Sequence, residues 1–277
     1  MALPKRWMSG RAAIDMTITI SLGQMDVLRG QVAVNLATVT GMVEEAARRG
    51  SQLVVFPELW STGYDLKRAA QHATAVDQGL FAEIAGLAQR HKIDIVGSQL
   101  SLLGEGRFGN TAVYYDQNGN NLGAYNKVHL FGPMQEIEYL SAGDSLTVVE
   151  TAWGKAGLAI CYDLRFPELF RAYALAGVQA VILVAQWPRP RLAHWRTLLR
   201  ARAIENQMFI IACNRVGRTR STEFFGHSRL LDPCGEVIIE AGEGAGLYTA
   251  DLELEQLTAV RESMPVFADR RPDTYAI

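Results

Sequence analysis

Cysteine is scarce in this chain: three residues in 277, at positions 161, 213 and 234, with no Cys-x-x-Cys pair. An odd count at such spacing excludes a disulfide framework and a cysteine-based zinc site, and reduced thiols are expected. The five histidines, at 72, 91, 129, 194 and 227, show neither His-Glu-x-x-His nor His-x-Glu spacing, so no metal and no other cofactor is expected. The chain also has no excess of one charge: 27 Lys and Arg stand against 29 Asp and Glu, a formal net charge of −2. No basic stretch is interleaved with aromatics, which argues against nucleic acid as a partner. No apolar run approaches the roughly 20 residues that cross a bilayer. The opening Met1-Ala-Leu-Pro-Lys-Arg-Trp-Met-Ser-Gly-Arg11 lacks the apolar centre of a secretory signal. A cytoplasmic protein with no membrane partner is the expectation. Low-complexity tracts, repeats and Pro/Gly-rich linkers are missing too. That predicts a flexible extension over residues 1–13 and a single domain over 14–277.

What is present is an alternation of strand and helix patterns. Ile14 to Leu22 reads as a strand; residues 31–49 carry apolar positions at helical spacing and stop at Arg-Arg-Gly50; Leu53-Val-Val-Phe56 is the next strand. The pattern repeats as helix 78–90 with strand 93–99, helix 167–177 with strand 179–185, and helix 191–206 with strand 208–213. Asn118-Gly119 marks the turn of a hairpin over 109–126, and Asp232-Pro-Cys-Gly235 that of a second over 226–240. Crossovers together with hairpins predict an α/β protein with mixed sheets covered by helices. In helix 191–206, Leu192, Trp195, Leu199 and Ile204 are expected to face a core, with Arg196, Arg200, Arg202 and Glu205 elsewhere. After residue 255 the polar tail reads as a solvated end or a partner-docking arm.

Two polar residues lie just past the ends of apolar strands, where α/β sheets place ligands: Glu58 after Leu-Val-Val-Phe-Pro and Cys161 after Gly-Leu-Ala-Ile. Lys127 follows the 109–126 hairpin. Cys161 falls where a strand gives way to a helix, and a helix start would favour its thiolate. A nucleophilic cysteine needs a base, a cation for the oxyanion and backbone donors beside it. Glu58, Lys127 and the Tyr162 N–H are of the right types. His129 and His194 are alternative partners for the thiol. Arg165 and Glu168 flank the next helix start and are expected to form an ion pair that fixes the turn.

Phe56-Pro-Glu58, Lys127-Val-His-Leu-Phe and Cys161-Tyr-Asp-Leu-Arg-Phe-Pro-Glu168 resemble the three signature segments of the nitrilase superfamily of carbon–nitrogen hydrolases, in the same order and at similar intervals of 69 and 34 residues. The resemblance covers nearly the whole chain. It implies a four-layer α-β-β-α sandwich that commonly dimerises, with helix 191–206 at the interface, and a thioester mechanism without metal or organic cofactor. It implies that Cys161 attacks the carbonyl carbon, Glu58 moves protons and Lys127 holds the oxyanion. It also implies a second glutamate on the loop after the lysine, and Glu136 matches better than Glu138 by its distance to Gly143.

The loop Trp187-Pro-Arg-Pro-Arg191 follows the strand ending at Gln186 and is expected to shape the acyl pocket, with Trp187 as an apolar wall and Arg189 or Arg191 facing an acyl carboxylate. With Arg-Ala-Ile-Glu-Asn following, this stretch is similar to the ω-amidase-like branch. The expected activity is hydrolysis of a small carboxylate-bearing amide with release of ammonia. Hydrolysis of N-carbamoyl compounds or short aliphatic amides, and a catalytically silent scaffold, are the alternatives.

Overall fold

A computed structural model describes residues 17–219 and 221–275 of the chain. The expected extension 1–13 and the first residues of the expected opening strand lie outside the described residues.

Strand β1 (Thr17–Gln24) and helix α1 (Val32–Arg48) lead to β2 (Leu53–Val55), a single helical turn α2 (Ala69–His72), α3 (Gly79–His91), β3 (Asp94–Leu102), and the hairpin of β4 (Phe108–Tyr115) and β5 (Asn121–Asn126). The one-turn α4 (Glu136–Tyr139) precedes β6 (Val148–Thr151), β7 (Gly154–Ile160), α5 (Pro167–Leu175), β8 (Ala180–Ala185), α6 (Leu192–Asn206) and β9 (Phe209–Asn214). There follow a small hairpin of β10 (Val216–Thr219) and β11 (Thr222–Phe225), then β12 (Arg229–Leu231), β13 (Val237–Glu240), β14 (Gly246–Glu253) and α7 (Gln256–Ser263).

Two six-stranded sheets result, with strand orders β14-β1-β2-β3-β4-β5 and β13-β12-β9-β8-β7-β6. Each has three parallel strands at its centre, β1-β2-β3 and β7-β8-β9, flanked by antiparallel strands. The alternation of side chains along the first sheet explains the layering. Leu53, Val55, Val96 and Tyr114 point into the core shared with the second sheet. Val54, Ile95, Val113 and Tyr115 point the other way, onto Val39 and Val43 of α1 and Phe81 and Ile84 of α3. Helices α5 and α6 cover the second sheet, so the order of layers is α-β-β-α.

Glycine at 157 permits a close helix–sheet approach: a Cβ there would lie 2.8 Å from the ring of Tyr173 on α5. At the 116–120 turn, Asp116 Oδ1 accepts the N–H of Asn118 (2.9 Å) and of Asn120 (2.8 Å), and Gly119 adopts φ +81°.

Several sequence expectations change here. Strand β6 and the closing strand β14 were not expected, yet β14 pairs with β1 along its whole length, from Thr17 opposite Glu253 to Gln24 opposite Gly246. The tail is neither loose nor wholly solvated: α7 buries Leu257, and Arg261 donates to the carbonyls of Gln207 (3.3 Å) and Val178 (3.1 Å). On α6, Ile204 is half exposed and Arg202 is buried, donating to the Leu164 carbonyl at 2.9 Å. That bond gives the buried guanidinium an acceptor and anchors the helix to the turn after Cys161.

Two glycine substitutions should move stability in opposite directions. Gly157→Ala forces Tyr173 to shift and should cost about 1–3 kcal/mol. Gly41→Ala, on the exposed face of α1 with open space around it, should add about 0.5–1 kcal/mol. Urea unfolding midpoints measure both; an unchanged midpoint for Gly157→Ala would contradict the close α5–β7 packing.

Candidate active site

Most residues of the site follow the carboxyl ends of strands, while Glu136 opens the one-turn α4 and Asn110 lies inside β4. Glu58 follows β2 through Phe56-Pro57, and the chain then turns at Leu59, whose φ is +43° and whose N–H donates to Ser98 Oγ at 2.8 Å. Lys127 is the first residue after β5; its N–H donates to the Asn110 carbonyl and its carbonyl accepts from the Gly143 N–H, both at 2.9 Å. Cys161 is the first residue after β7, Gln186 the first after β8, and Arg215 the first after β9.

Glu58, Lys127 and Glu136 have no exposed surface, and Cys161 is buried beside them. Lys127 Nζ donates to Glu58 Oε1 and to Glu136 Oε1, each at 2.7 Å. Glu58 Oε1 also accepts from Asn110 Nδ2 at 2.8 Å, and Glu58 Oε2 from the Gln186 N–H at 2.9 Å. Glu136 Oε2 takes the Phe131 N–H at 2.6 Å. Burial alone would pull the Lys127 ammonium down, but the carboxylates of Glu136 and Glu58 outweigh it and hold the lysine above its ordinary range. Burial raises Glu136, against the pull of Lys127. Glu138, by contrast, is exposed.

Cys161 departs from the expected helix start. It has φ +45° and opens a short 3-10 turn, Cys161–Arg165, while α5 begins only at Pro167. Burial, and next the negative charge of Glu58, push its thiol well above the ordinary range, with Lys127 acting in the other direction. The expectation of a helix-stabilised thiolate is therefore corrected: in this environment the resting sulfur carries its proton.

The turn is anchored by Asp163, which the sequence reading passed over. Its Oδ2 accepts the Ile160 N–H and Tyr125 Oη, both at 2.8 Å, and its Oδ1 contacts His129 Nδ1 at 2.7 Å. His129 thus serves Asp163, stacked on Phe166 with ring centroids 3.6 Å apart, and His194 contacts Arg165. Tyr125 and His129 belong to the lysine's side of the molecule, so Asp163 ties the nucleophile's turn to the loop that carries Lys127.

A cleft over the sulfur is lined by Cys161, Tyr162, Arg165, Gln186, Trp187 and Arg191, with Phe131 packed on Tyr162. Trp187 is held by its N–H on Asn214 Oδ1 (2.7 Å) and by its indole N–H on the Arg191 carbonyl (3.2 Å). Arg165 makes no ion pair with the exposed Glu168; its guanidinium carbon lies 4.9 Å over the Trp187 ring, facing the cleft. Arg189 is taken up by Glu223 and Glu243 and is withdrawn from this role. Gln186, like Cys161 one residue past a strand and like Glu58 just beyond an apolar strand end, carried a signal that was available in the sequence. Asn110 lies inside β4 and had no such signal.

The α-β-β-α sandwich thus holds a fully buried carboxylate–ammonium–carboxylate group beside the Cys161 thiol, under a cleft with two cationic side chains. The family model for carbon–nitrogen hydrolases matches residues 19–262, and the chain belongs to that family. Its sequence is 38% identical over 257 residues to the 2-oxoglutaramate amidase of Bacillus subtilis, covering 93% of this chain and 99% of that protein. It is 32% identical over 252 residues to the omega-amidase NIT2 of Xenopus tropicalis, covering 88% and 91%. Among solved structures, Nit3 of Saccharomyces cerevisiae, a member of branch 10 of the nitrilase superfamily, superposes with a TM-score of 0.86 at 29% identity, covering 95% of this chain and 100% of that one.

The raised thiol has a direct readout. Alkylation of Cys161 by iodoacetamide, followed by peptide mass mapping, should keep accelerating above the pH at which an ordinary cysteine levels off. Lys127→Met, which removes the charge that draws the thiol down, should move the profile further up. A plateau near neutral pH would mean that the resting residue is a thiolate.

Proposed function

We propose that this protein is a cysteine-dependent amidase, ω-amidase-like in scope, that hydrolyses the C–N bond of a small carboxylate-bearing amide through a thioester on Cys161 and releases ammonia. The observation that carries the reading is the buried Glu58–Lys127–Glu136 group beside the Cys161 thiol. A neutral thiol next to a carboxylate loses its proton as it attacks, so charge separation develops only with substrate in place. Cys161 Sγ adds to the amide carbonyl carbon and its proton passes to Glu58. The Lys127 ammonium, held in place by Glu136, donates to the oxyanion and stabilises its charge. Collapse of the tetrahedral intermediate breaks the C–N bond, and Glu58 returns the proton to the departing ammonia. Glu58 then takes a proton from the water that attacks the thioester carbonyl and passes it to the Cys161 sulfur as the C–S bond breaks, giving the free acid and the resting thiol. No step calls for a metal or an organic cofactor.

Arg165 and Arg191, with the wall of Trp187 and the Tyr162 ring, support an acyl group that ends in a carboxylate. The names of the relatives in Bacillus and Xenopus support the same acyl class. We also read the chain from residue 14 onward as one domain, supported by the family match over 19–262, and as a homodimer, supported by the half-exposed Leu175 and Ile204 on α5 and α6. The three free cysteines support a cytoplasmic setting.

Steady-state ammonia release should be found with 2-oxoglutaramate and 2-oxosuccinamate in preference to butyramide and N-carbamoyl compounds. Cys161→Ala should lower kcat/KM by more than about a thousandfold, and quenched single turnovers of the wild type should carry the acyl mass on Cys161. Arg165→Gln should raise KM for 2-oxoglutaramate about tenfold or more, since it removes a charge-assisted contact, while leaving butyramide nearly unaffected. Activity confined to carbamoyl compounds, or amide hydrolysis untouched in Cys161→Ala, would overturn the reading.

A further inference from the structure

A second cleft, of about 270 Å3, opens on the other side of Gln186 and is lined by Arg29, Tyr64, Gln186, Arg215, Thr219 and Thr222 among others. Gln186 is the partition. Its main-chain N–H bonds Glu58 Oε2 (2.9 Å), its side-chain amide donates to the Glu58 carbonyl (2.6 Å), and its Oε1 accepts from Arg215 Nη1 (3.0 Å). The Trp187 cleft borders the sulfur; this one lies next to Glu58 through two of its lining residues, Gln186, which hydrogen-bonds Glu58, and Tyr64.

We propose that the cleft is the amine-side subsite of the amidase, built for an amine that carries a carboxylate, whether as the leaving group of an N-substituted amide or as an acceptor that takes the acyl group from Cys161 in place of water. The inference rests on the amidase reading, because that reading makes Glu58 the group that gives the leaving nitrogen its proton and takes one from the incoming nucleophile. The amine side of the scissile bond is therefore the Glu58 side.

Size and chemistry agree with this. Ammonia needs no more room than a water, on the order of 10–15 Å3 by the same measure, and the cleft is far larger. Among the described residues, none of those that line it is acidic. Two of them carry buried donors without an acceptor, Tyr64 Oη and Arg29 Nε, and such orphans are uncommon in a folded protein. Arg215 and Arg29 are held by Asp26 (2.8 Å) and Asp65 (3.3 Å), which position the guanidinium groups yet leave Arg29 Nε unmatched. The Tyr64 hydroxyl faces Glu58 without completing a hydrogen bond; burial, followed by the charges of Glu136 and Glu58, keeps it protonated and therefore a donor. A carboxylate supplies two acceptor oxygens to these two donors.

The transfer step balances without a redox partner. The lone pair of the neutral amine attacks the thioester carbonyl carbon, a C–N bond forms, and the C–S bond breaks. The proton lost by nitrogen passes through Glu58 to the sulfur, giving a new amide and the Cys161 thiol.

The test offers the working enzyme 2-oxoglutaramate as acyl donor at mildly alkaline pH, with glycine or ethylamine at equal free-amine concentration. The ratio of captured amide to free acid is read by mass spectrometry. Glycine should be captured at least about tenfold better than ethylamine, with saturation, and Arg29→Gln should bring the two ratios together. If Arg29→Gln does not fold, Tyr64→Phe reads the same quantity, since a partition ratio does not depend on the fraction of active enzyme. Equal capture of the two amines, or a glycine preference untouched by the variant that folds, would overturn the subsite. Absence of ammonia from every primary amide would instead overturn the amidase reading beneath it.

Discussion

The Lys127 ammonium lies between one oxygen of Glu58 and one of Glu136, at 2.7 Å from each, with none of the three side chains reaching solvent. Burying an ion costs several kcal/mol even after relaxation, and mutual attraction offsets this only when geometry is good and the remaining lone pairs are satisfied. Here they are: Asn110 and the N–H groups of Gln186 and Phe131 complete the carboxylate shells. The requirement reaches into both sheets. Glu58, Asn110 and Lys127 come from the first sheet, Gln186 and Cys161 from the second, so the ion group is balanced only when the two sheets are docked in register.

Burial first, and then the carboxylates of Glu58 and Glu136 against the pull of Lys127, raise the neighbouring thiol and keep its proton on the sulfur. A neutral buried thiol is slow to oxidise and slow to meet stray electrophiles. Reactivity is thereby tied to the presence of a carbonyl within reach of both Cys161 and Lys127.

Much of this was legible in the sequence where local pattern and position coincide. Glu58 and Cys161 stand one or a few residues beyond strongly apolar strands, and the helices 31–49, 78–90, 167–177 and 191–206 were visible from spacing because one stripe of each is buried. The failures have physical causes. Strand β14 pairs with a partner more than 220 residues away and is only half buried, so neither a hairpin signal nor an apolar run announced it. The reversal of Arg202 and Ile204 on α6 follows from a single acceptor, the Leu164 carbonyl, that exists only in the folded turn. Cys161 reads as a helix start because Pro167 does begin a helix, six residues later than the thiol needs for the dipole to act on it. Tyr64 and Arg215 became visible only as lining of a cleft.

The pairing of β14 with β1 carries a temporal consequence. A ribosome releases the chain from the amino end, and the first sheet stands with an open edge at β1 until residues 246–253 have emerged. That edge is a template for unintended strand addition throughout synthesis. The same long separation raises contact order and slows the final closure. The nascent chain must therefore guard an open strand edge against aggregation until residues 246–253 have been made, and only then can the first sheet close.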